Sequence, residues 1–233
     1  KRVENGLNEI GLTGRDIDAI LITHEHVDHI AGLGVLSRRY GIPIYTTEKT
    51  ADAIQETKSV GKIPEELFHP VCAEEAFTIK DLTVNPMRIS HDAADPVGYR
   101  FSYGSSHAAV CTDLGTYNDY TVECLKGMDV LLLEANHDVN MLQVGSYPYY
   151  LKQRILGNRG HLSNENSGRL LSRVLHDNLK KVILGHLSQE NNLPELAYET
   201  VRMEIDLADN PYHGGDFPIQ VAKRNEVSEM ICF

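Results

Sequence analysis

Residues 24–29 read His-Glu-His-Val-Asp-His and directly follow an apolar run at residues 19–22. Packing does not account for three imidazoles and a carboxylate within six residues at the end of a predicted strand. Neutral imidazole and carboxylate are ligands that suit Zn, Mn or Fe without any thiolate. The pattern His24, His26, Asp28, His29 therefore predicts a hydrolytic site that uses two metal ions.

Two metal ions need more ligands than one loop can supply, so further ligands should lie at the ends of other strands. His91, Asp113 and His186 each follow an apolar, strand-like run. The carboxylate of Asp113 is suited to bridge both ions. Each residue alone could be a turn former or an exposed side chain, but together they predict metal binding. A structural zinc site is not favoured, because such sites are closed by four ligands and prefer Cys.

The order of predicted elements indicates an α/β fold. Helical patterns occupy residues 2–10, 30–40 and 48–58, and strand patterns follow at residues 77–79, 82–89, 97–103 and 108–112. Helices near 118–126, after Pro148, from Ser163 to His176 and after Pro194 then alternate with strands at 130–134 and 181–184. Strand-like pieces around Ile219 and Ile231 end the chain. Two sheets covered by helices, and one domain over residues 1–233, are expected.

Composition excludes some classes of protein. The 233 residues carry a net charge of −11, which argues against a protein that coats nucleic acid without specificity. No apolar stretch approaches the roughly 20 residues needed to cross a bilayer, so no membrane association is expected. The four cysteines form no C-x-x-C pair, which favours a reducing compartment and a cytoplasmic location. Because the chain begins with Lys1, a further N-terminal segment with a targeting signal could precede it.

One basic stretch interrupts this acidic chain. Residues 139–164 contain no Asp or Glu but include Lys152, Arg154 and Arg159. These three residues could contact an anionic substrate such as nucleic acid, or they could form an ordinary solvated helix face. The neighbouring tyrosines at 147, 149 and 150 could stack on bases or simply pack.

The metal-ligand pattern resembles the metallo-β-lactamase superfamily of hydrolases, whose fold is a four-layer αββα sandwich. The resemblance implies that His24, His26 and His91 hold the first metal ion. It implies that Asp28, His29 and His186 hold the second, with Asp113 bridging the two. His26 stands where the flavo-di-iron reductases of this superfamily carry Glu, which argues against that redox branch.

Two later segments resemble the ribonuclease Z-like phosphodiesterase branch of that superfamily. They are Gly-His-Leu-Ser-Asn at residues 160–164 and Leu-Leu-Glu-Ala-Asn at residues 132–136. The resemblance implies that His161 protonates the leaving oxygen and that Glu134 orients His161. Asp28 is expected to bind metal and to accept the proton of the nucleophile. The alternatives are that His161 is a residue before a helix and that Glu134 is a surface carboxylate.

Across nearly its whole length, the chain is most similar to the WalJ/YycJ type of bacterial DNA exonuclease. The matching segments are HEHVDHIAGLGVLSRRYGIPIY, HDAADPVGYRF, GNRGHLSNENSG and LGHLSQENN. The resemblance implies a DNA substrate, two divalent ions (Zn, Mn or Fe) and 5′-to-3′ cleavage as the suggested direction. Members of this type begin with a strand that would precede Lys1, so this chain is expected to lack that first strand. Oligomeric state is left open.

Two other functions remain to be separated from DNA hydrolysis. Other members of the superfamily use the same metal ligands to hydrolyse small esters, thioesters or lactones. Such small neutral substrates would not need the positive charges of Lys152, Arg154 and Arg159. A metal-loaded scaffold that binds a partner would bind metal without turnover. The complete ligand set makes that scaffold the less favoured alternative.

Overall fold

Residues 2–233 of the protein are described from a computed structural model. These residues form two compact units. Unit 1 comprises residues 2–88, 93–97 and 223–229, and unit 2 comprises residues 89–92, 98–222 and 230–233. The single domain expected over residues 1–233 stays a prediction. None of the helices within residues 2–233 combines the length and the apolar character needed to cross a membrane.

Unit 1 combines short parallel strands with amphipathic helices. Its helices are α1 (Arg2–Glu9), α2 (Val27–Ile30), α3 (Leu33–Tyr40) and α4 (Glu48–Glu56), and its strands are β1 (Ile20–Leu21), β2 (Ile44–Thr46), β3 (Phe68–Pro70), β4 (Phe77–Ile79) and β5 (Leu82–Arg88). Strands β1, β2 and β3 pair in parallel in that order, and β4 pairs with β5 in an antiparallel hairpin. The core of this unit is aliphatic and includes Ile22, Ile30, Leu33, Ile44 and Ile54.

Unit 2 contains a largely parallel sheet with helices between its strands. Its strands are β6 (Val97–Tyr103), β7 (Ser106–Cys111), β8 (Val130–Glu134), β9 (Lys181–Gly185) and β10 (Ile219–Val221). The first residue of β6, Val97, is counted in unit 1. Its helices are α5 (Asp119–Leu125), α6 (Val139–Val144), α7 (Tyr149–Leu156), α8 (Asn164–Ser172) and α9 (Pro194–Leu207). The strand order is β10-β9-β8-β7-β6, and only β6 and β7 pair antiparallel. Most residues of β8 and β9 are buried, as is typical of the strands of a parallel sheet.

Most predicted elements are confirmed, with shifts at their ends. The strands at 77–79, 97–103 and 130–134 have the expected bounds, and Ser163 caps α8 by accepting a hydrogen bond from Asn166 N. The prediction of one helix over residues 30–40 is wrong at its start, because α2 ends at Ile30 and α3 begins only at Leu33, after a turn. The strand-like piece expected around Ile231 is also wrong, because residues 222–233 contain no strand.

The central position of β8 predicts a large stability effect. Leu131 is 1% exposed and pairs with both neighbouring strands, opposite Ala109 and Val182. Leu131→Ala is expected to lower the free energy of unfolding by about 2–5 kcal/mol, because a cavity replaces the lost side chain. Leu207→Ala at an exposed position of α9 should change it by less than about 0.5 kcal/mol. Equal urea midpoints for the two variants would contradict this account of the core.

Candidate metal centre

Three of the predicted site residues lie at or just after the carboxyl ends of three parallel strands of unit 2, and therefore at one edge of the sheet. Strands β7, β8 and β9 are parallel neighbours, so their ends meet at the same edge. Asp113 lies two residues after β7, Glu134 is the last residue of β8, and His186 directly follows β9. Asp113 and Glu134 are buried, and His186 is partly exposed. The topology of this unit therefore gathers the three side chains.

Two of these residues adopt a left-handed backbone conformation. The φ angles are +62° at Asp113 and +58° at His186. Residues other than Gly rarely adopt this conformation, which costs roughly 1–2 kcal/mol. It lets the chain turn sharply at the strand end, and the surrounding contacts must hold it in place.

Glu134 is the centre of a hydrogen-bond network. Its Oε1 accepts a bond from His161 Nδ1 at 2.7 Å and one from His186 Nδ1 at 2.9 Å. Its Oε2 accepts bonds from the backbone N–H groups of Leu114 at 2.8 Å and Leu162 at 3.2 Å. Burial raises the pKa of Glu134, but the two histidine hydrogen bonds outweigh it and lower the pKa to about 2. Glu134 is thus a buried carboxylate, and the alternative of a surface residue is wrong.

The same network fixes which nitrogen of each histidine is available. Because His161 and His186 donate Nδ1–H to Glu134, a metal ion or a transferred proton would be bound through Nε2 of these rings. His91 Nδ1 lies 3.0 Å from the Gly160 carbonyl and donates its proton there. His91 therefore presents Nε2 as well.

The distances around Asp113 fit a divalent metal ion. Asp113 Oδ1 lies 3.4 Å from His186 Nε2 and 3.8 Å from His91 Nε2. Two ligands bound at about 2.0–2.1 Å to one tetrahedral ion are about 3.3 Å apart. Asp113, Glu134, His161 and His186 offer ligand atoms within 4.8 Å of one another. Both oxygens of Glu134 accept hydrogen bonds, two at each oxygen.

In unit 1, the histidines of the first motif form a tight cluster. The ring centroid of His24 lies 4.6 Å from that of His26 and 4.1 Å from that of His29. Thr23 Oγ1 lies 3.0 Å from His24 Nδ1, and His24 is fully buried. His26 is the residue before α2, so the turn into this short helix aims the side chains. Clustered imidazoles are ligands that suit transition-metal ions.

The two acids of the first motif differ in their surroundings. The Asp28 side chain is 69% exposed, and its Oδ2 lies 3.6 Å from His29 Nε2. Glu25 Oε1 accepts a hydrogen bond from Ala94 N at 2.8 Å. Glu25 therefore secures the segment at residues 93–97, a role that the motif alone did not reveal.

The loop before His161 depends on a glycine. His161 N donates to Ile155 O at 3.0 Å, which folds residues 157–160 back on the end of α7. A Cβ atom at Gly160 would lie 2.1 Å from Ile155 O, so no other residue fits there without moving the backbone. This close approach fixes the position of His161.

The three predicted basic residues all have partners within unit 2. Lys152 Nζ donates to the carbonyls of Gln143 and Gly145 at 2.8 and 2.7 Å. Arg154 forms a two-bond ion pair with Asp92, and Arg159 Nε donates to the His91 carbonyl at 3.0 Å. Two of the three ammonium protons of Lys152 are therefore engaged. Contact of these residues with a substrate stays a prediction.

The aromatic side chains beside them are not packed into the core. Tyr149 and Tyr150 are 77% and 74% exposed on α7. The interpretation that these two tyrosines simply pack is therefore wrong. Base stacking by them stays a prediction.

Sequence reasoning missed a set of buried asparagines behind the cluster. Asn136, Asn164 and Asn192 are at most 8% exposed and follow β8, Ser163 and β9. Asn192 Nδ2 donates to the carbonyls of Ala135 and Asn136, both at 3.0 Å. Their sequence signal was the asparagine-rich composition of the two segments that contain His161 and His186.

The comparisons with known proteins agree with this architecture. The β-lactamase superfamily domain matches residues 7–186. The exodeoxyribonuclease WalJ of Streptococcus pneumoniae (strain D39) is 43% identical over 209 residues, which are 90% of this chain and 78% of that protein. The exodeoxyribonuclease YycJ of Bacillus anthracis is 38% identical over 206 residues, 88% of this chain and 77% of that protein.

A solved structure shares the fold. The metallo-β-lactamase fold protein YhfI of Bacillus subtilis superposes with a TM-score of 0.66 at 16% identity, covering 94% of this chain and 79% of that chain. This likeness concerns the fold alone. The predicted metallo-β-lactamase fold and metal-dependent hydrolase class are confirmed, and the chain belongs to the β-lactamase superfamily, within the group of the exodeoxyribonucleases WalJ and YycJ.

Proposed function

We propose that this protein is an exonuclease that hydrolyses DNA with two divalent metal ions. The observation that carries the proposal is the buried carboxylate of Glu134, which bonds to His161 and His186 at once. That arrangement couples a candidate proton donor to a candidate metal ligand. The names of the relatives WalJ and YycJ support DNA as the substrate.

The proposed ligands are the residues of the sequence prediction. They are His24, His26 and His91 for one ion, Asp28, His29 and His186 for the other, and Asp113 between them. The donor set of imidazoles and carboxylates supports Zn, Mn or Fe equally. The 3.4 Å separation of Asp113 Oδ1 and His186 Nε2 supports their sharing one ion.

Each catalytic side chain has one proposed task. When bound, two divalent ions supply an activated water and neutralise charge on the phosphoryl oxygens. Asp28 accepts the proton of the nucleophile. His161 gives a proton from Nε2 to the leaving oxygen, while Glu134 holds Nδ1 and stabilises the imidazolium cation. The 2.7 Å contact between these two residues supports that division of roles.

The substrate contacts follow from charge. We propose that the exposed guanidinium groups of Arg154 and Arg159 contact phosphate groups of the substrate. Lys152 adds positive charge nearby, with its one remaining proton. Such contacts raise affinity without choosing a base sequence.

The cysteines support the cytoplasmic location that we propose. Cys72, Cys111, Cys124 and Cys232 are free thiols. Free thiols are typical of a reducing compartment, which supports a cytoplasmic location.

The experiment that tests this function follows the shortening of labelled DNA. The metal-loaded protein is expected to shorten end-labelled DNA oligonucleotides stepwise, and the label that is released first gives the polarity. Chelation should stop the reaction and added Zn²⁺ or Mn²⁺ should restore it. The same gel series with RNA of equal sequence, and a thioester assay, separate the other substrates. No DNA cleavage by protein with two bound ions would refute the proposal.

A further inference from the structure

The loop after β8 contains one buried residue that bonds to both loops that bear the catalytic histidines. Asn136 Nδ2 donates to the backbone carbonyl of His186 at 2.9 Å. Its backbone N–H donates to the carbonyl of Leu162, the residue after His161, at 2.9 Å. Asn136 is 8% exposed, so these bonds are protected from competing water. A single asparagine thus connects the loop of His161 to the loop of His186.

The bond to His186 acts on a strained residue. With a φ of +58°, His186 stays in the left-handed region only if its surroundings hold it there. Its carbonyl belongs to the peptide unit whose orientation is set by the ψ angle of His186. The carbonyl of Asn136 also accepts a bond from Ser188 N at 2.7 Å. Asn136 thus donates one hydrogen bond to the residue before Leu187 and accepts one from the residue after it, so the chain is restrained on both sides of Leu187.

Asn136 is in turn held by a second buried amide, Asn192, which itself contacts a third. Asn192 Nδ2 donates to the carbonyl of Asn136 at 3.0 Å. Asn164 Nδ2 also donates to Asn192 Oδ1 at 2.9 Å, and Asn164 Oδ1 lies 2.9 Å from Asn192 Nδ2, whose two hydrogens are shared among three acceptors. Asn164 is fully buried and Asn192 is 4% exposed. A neutral side chain with both a donor and an acceptor is required at each of these positions, which an amide provides.

We propose that Asn136 is a positioning residue for the second metal ion. It fixes the backbone of His186, so that Nε2 stays beside Asp113 Oδ1 while Nδ1 stays bonded to Glu134. This inference rests on the proposed function, since it takes His186 as a metal ligand. It adds a residue that contacts neither metal nor substrate.

The test measures metal affinity, independently of DNA cleavage. Asn136→Asp keeps the shape but replaces the donor with a carboxylate that repels the His186 carbonyl. Asn136→Ala removes the donor and adds no charge. Zn²⁺ is titrated into metal-free protein against a chromophoric chelator. Both variants are expected to bind the second Zn²⁺ about 10–100-fold more weakly, and the first within about twofold of wild type.

A matched variant separates positioning from general loss of stability. Asn118 caps α5, because its Oδ1 accepts bonds from Thr121 N and Thr121 Oγ1 at the start of that helix. Asn118→Ala should cost about 1 kcal/mol of stability and leave both Zn²⁺ affinities unchanged. The same loss of affinity in Asn118→Ala would overturn the inference.

The outcomes also separate this inference from the proposed function. A wild type that binds two Zn²⁺ ions, with Asn136 variants that bind both equally well, overturns the inference alone. A wild type that binds fewer than two ions overturns the two-metal function and the inference with it. Selective loss of the second ion in both variants supports positioning, because a merely structural role would weaken both sites or neither.

Discussion

Asp113→Asn is expected to reduce metal-dependent cleavage at least about 1,000-fold while the fold stays intact. Asn has the shape of Asp and tolerates the left-handed backbone found at this position, so the strand-end turn should be kept. The substitution removes the negative charge that lies between His91 and His186. A bound ion contributes several kcal/mol of transition-state stabilisation, and each 1.36 kcal/mol is about tenfold in rate.

The measurement for Asp113→Asn combines metal content with single-turnover cleavage. The variant should bind fewer than two ions and retain the circular dichroism spectrum of the wild type. Asp129→Asn is the control, because Asp129 is also a buried acid of unit 2, where it accepts a bond from His107 N. Its cleavage rate should stay within about twofold of wild type. Two ions and a normal rate in Asp113→Asn would remove Asp113 from the metal centre.

Glu134→Gln is expected to lower kcat by about 10²–10⁴-fold with little change in KM. A carboxylate accepts all four hydrogen bonds found here, whereas the amide of Gln presents a donor to two of the four N–H groups. The orientation and tautomer of His161 or His186 are then lost, an effect known to be large in acid–base networks. Glu123→Gln, at an exposed residue of α5, is the control. An unchanged kcat would show that Glu134 only supports the fold.

The same substitution should change how stability depends on pH. The pKa of Glu134 is about 2 in the folded protein, below the ordinary 4.5, so the unfolded chain binds the proton more readily. The stabilisation by its carboxylate is therefore fully present above about pH 4.5 and is lost as the pH falls through about 2. Urea unfolding of metal-free protein should show wild type losing stability over this window more steeply than Glu134→Gln.

The sequence identified the side chains that end the strands of unit 2. Apolar runs of four residues (130–133) and three residues (182–184) predicted β8 and β9, and a polar residue after such a run indicated a site. Asp113 and His186 were found in this way because parallel strands place their carboxyl ends together. This inference needed only the local pattern and a general rule of sheet topology.

The contacts of these side chains could not be predicted in the same way. Glu134 was open to interpretation as a surface carboxylate, because nothing local shows that four donors from distant segments surround it. Lys152 was interpreted by its charge, yet its ammonium group bonds to the carbonyls at the end of α6. Such partners depend on tertiary packing and not on spacing along the chain.

Two short elements, β3 and α6, were not predicted from the sequence. β3 reads Phe-His-Pro, with one apolar aliphatic or aromatic residue before a histidine and a proline, and α6 has only six residues, so neither gives a clear hydrophobic period. The tail at residues 222–233 shows the opposite error, since the apolar residues near Ile231 look like a strand but have no neighbouring strand to pair with in the described structure. Propensity alone does not make a strand where no sheet edge accepts it.

The left-handed backbone at Asp113 and His186 also bears on how this protein can be engineered. At both positions Gly, and to a lesser degree Asn, would relieve backbone strain. Such a substitution would raise the stability of the fold but remove a proposed metal ligand. A mutant library screened only for thermal stability would be enriched in such replacements and would collect inactive proteins. A stabilisation campaign should therefore keep residues 113 and 186 unchanged and seek its gains elsewhere.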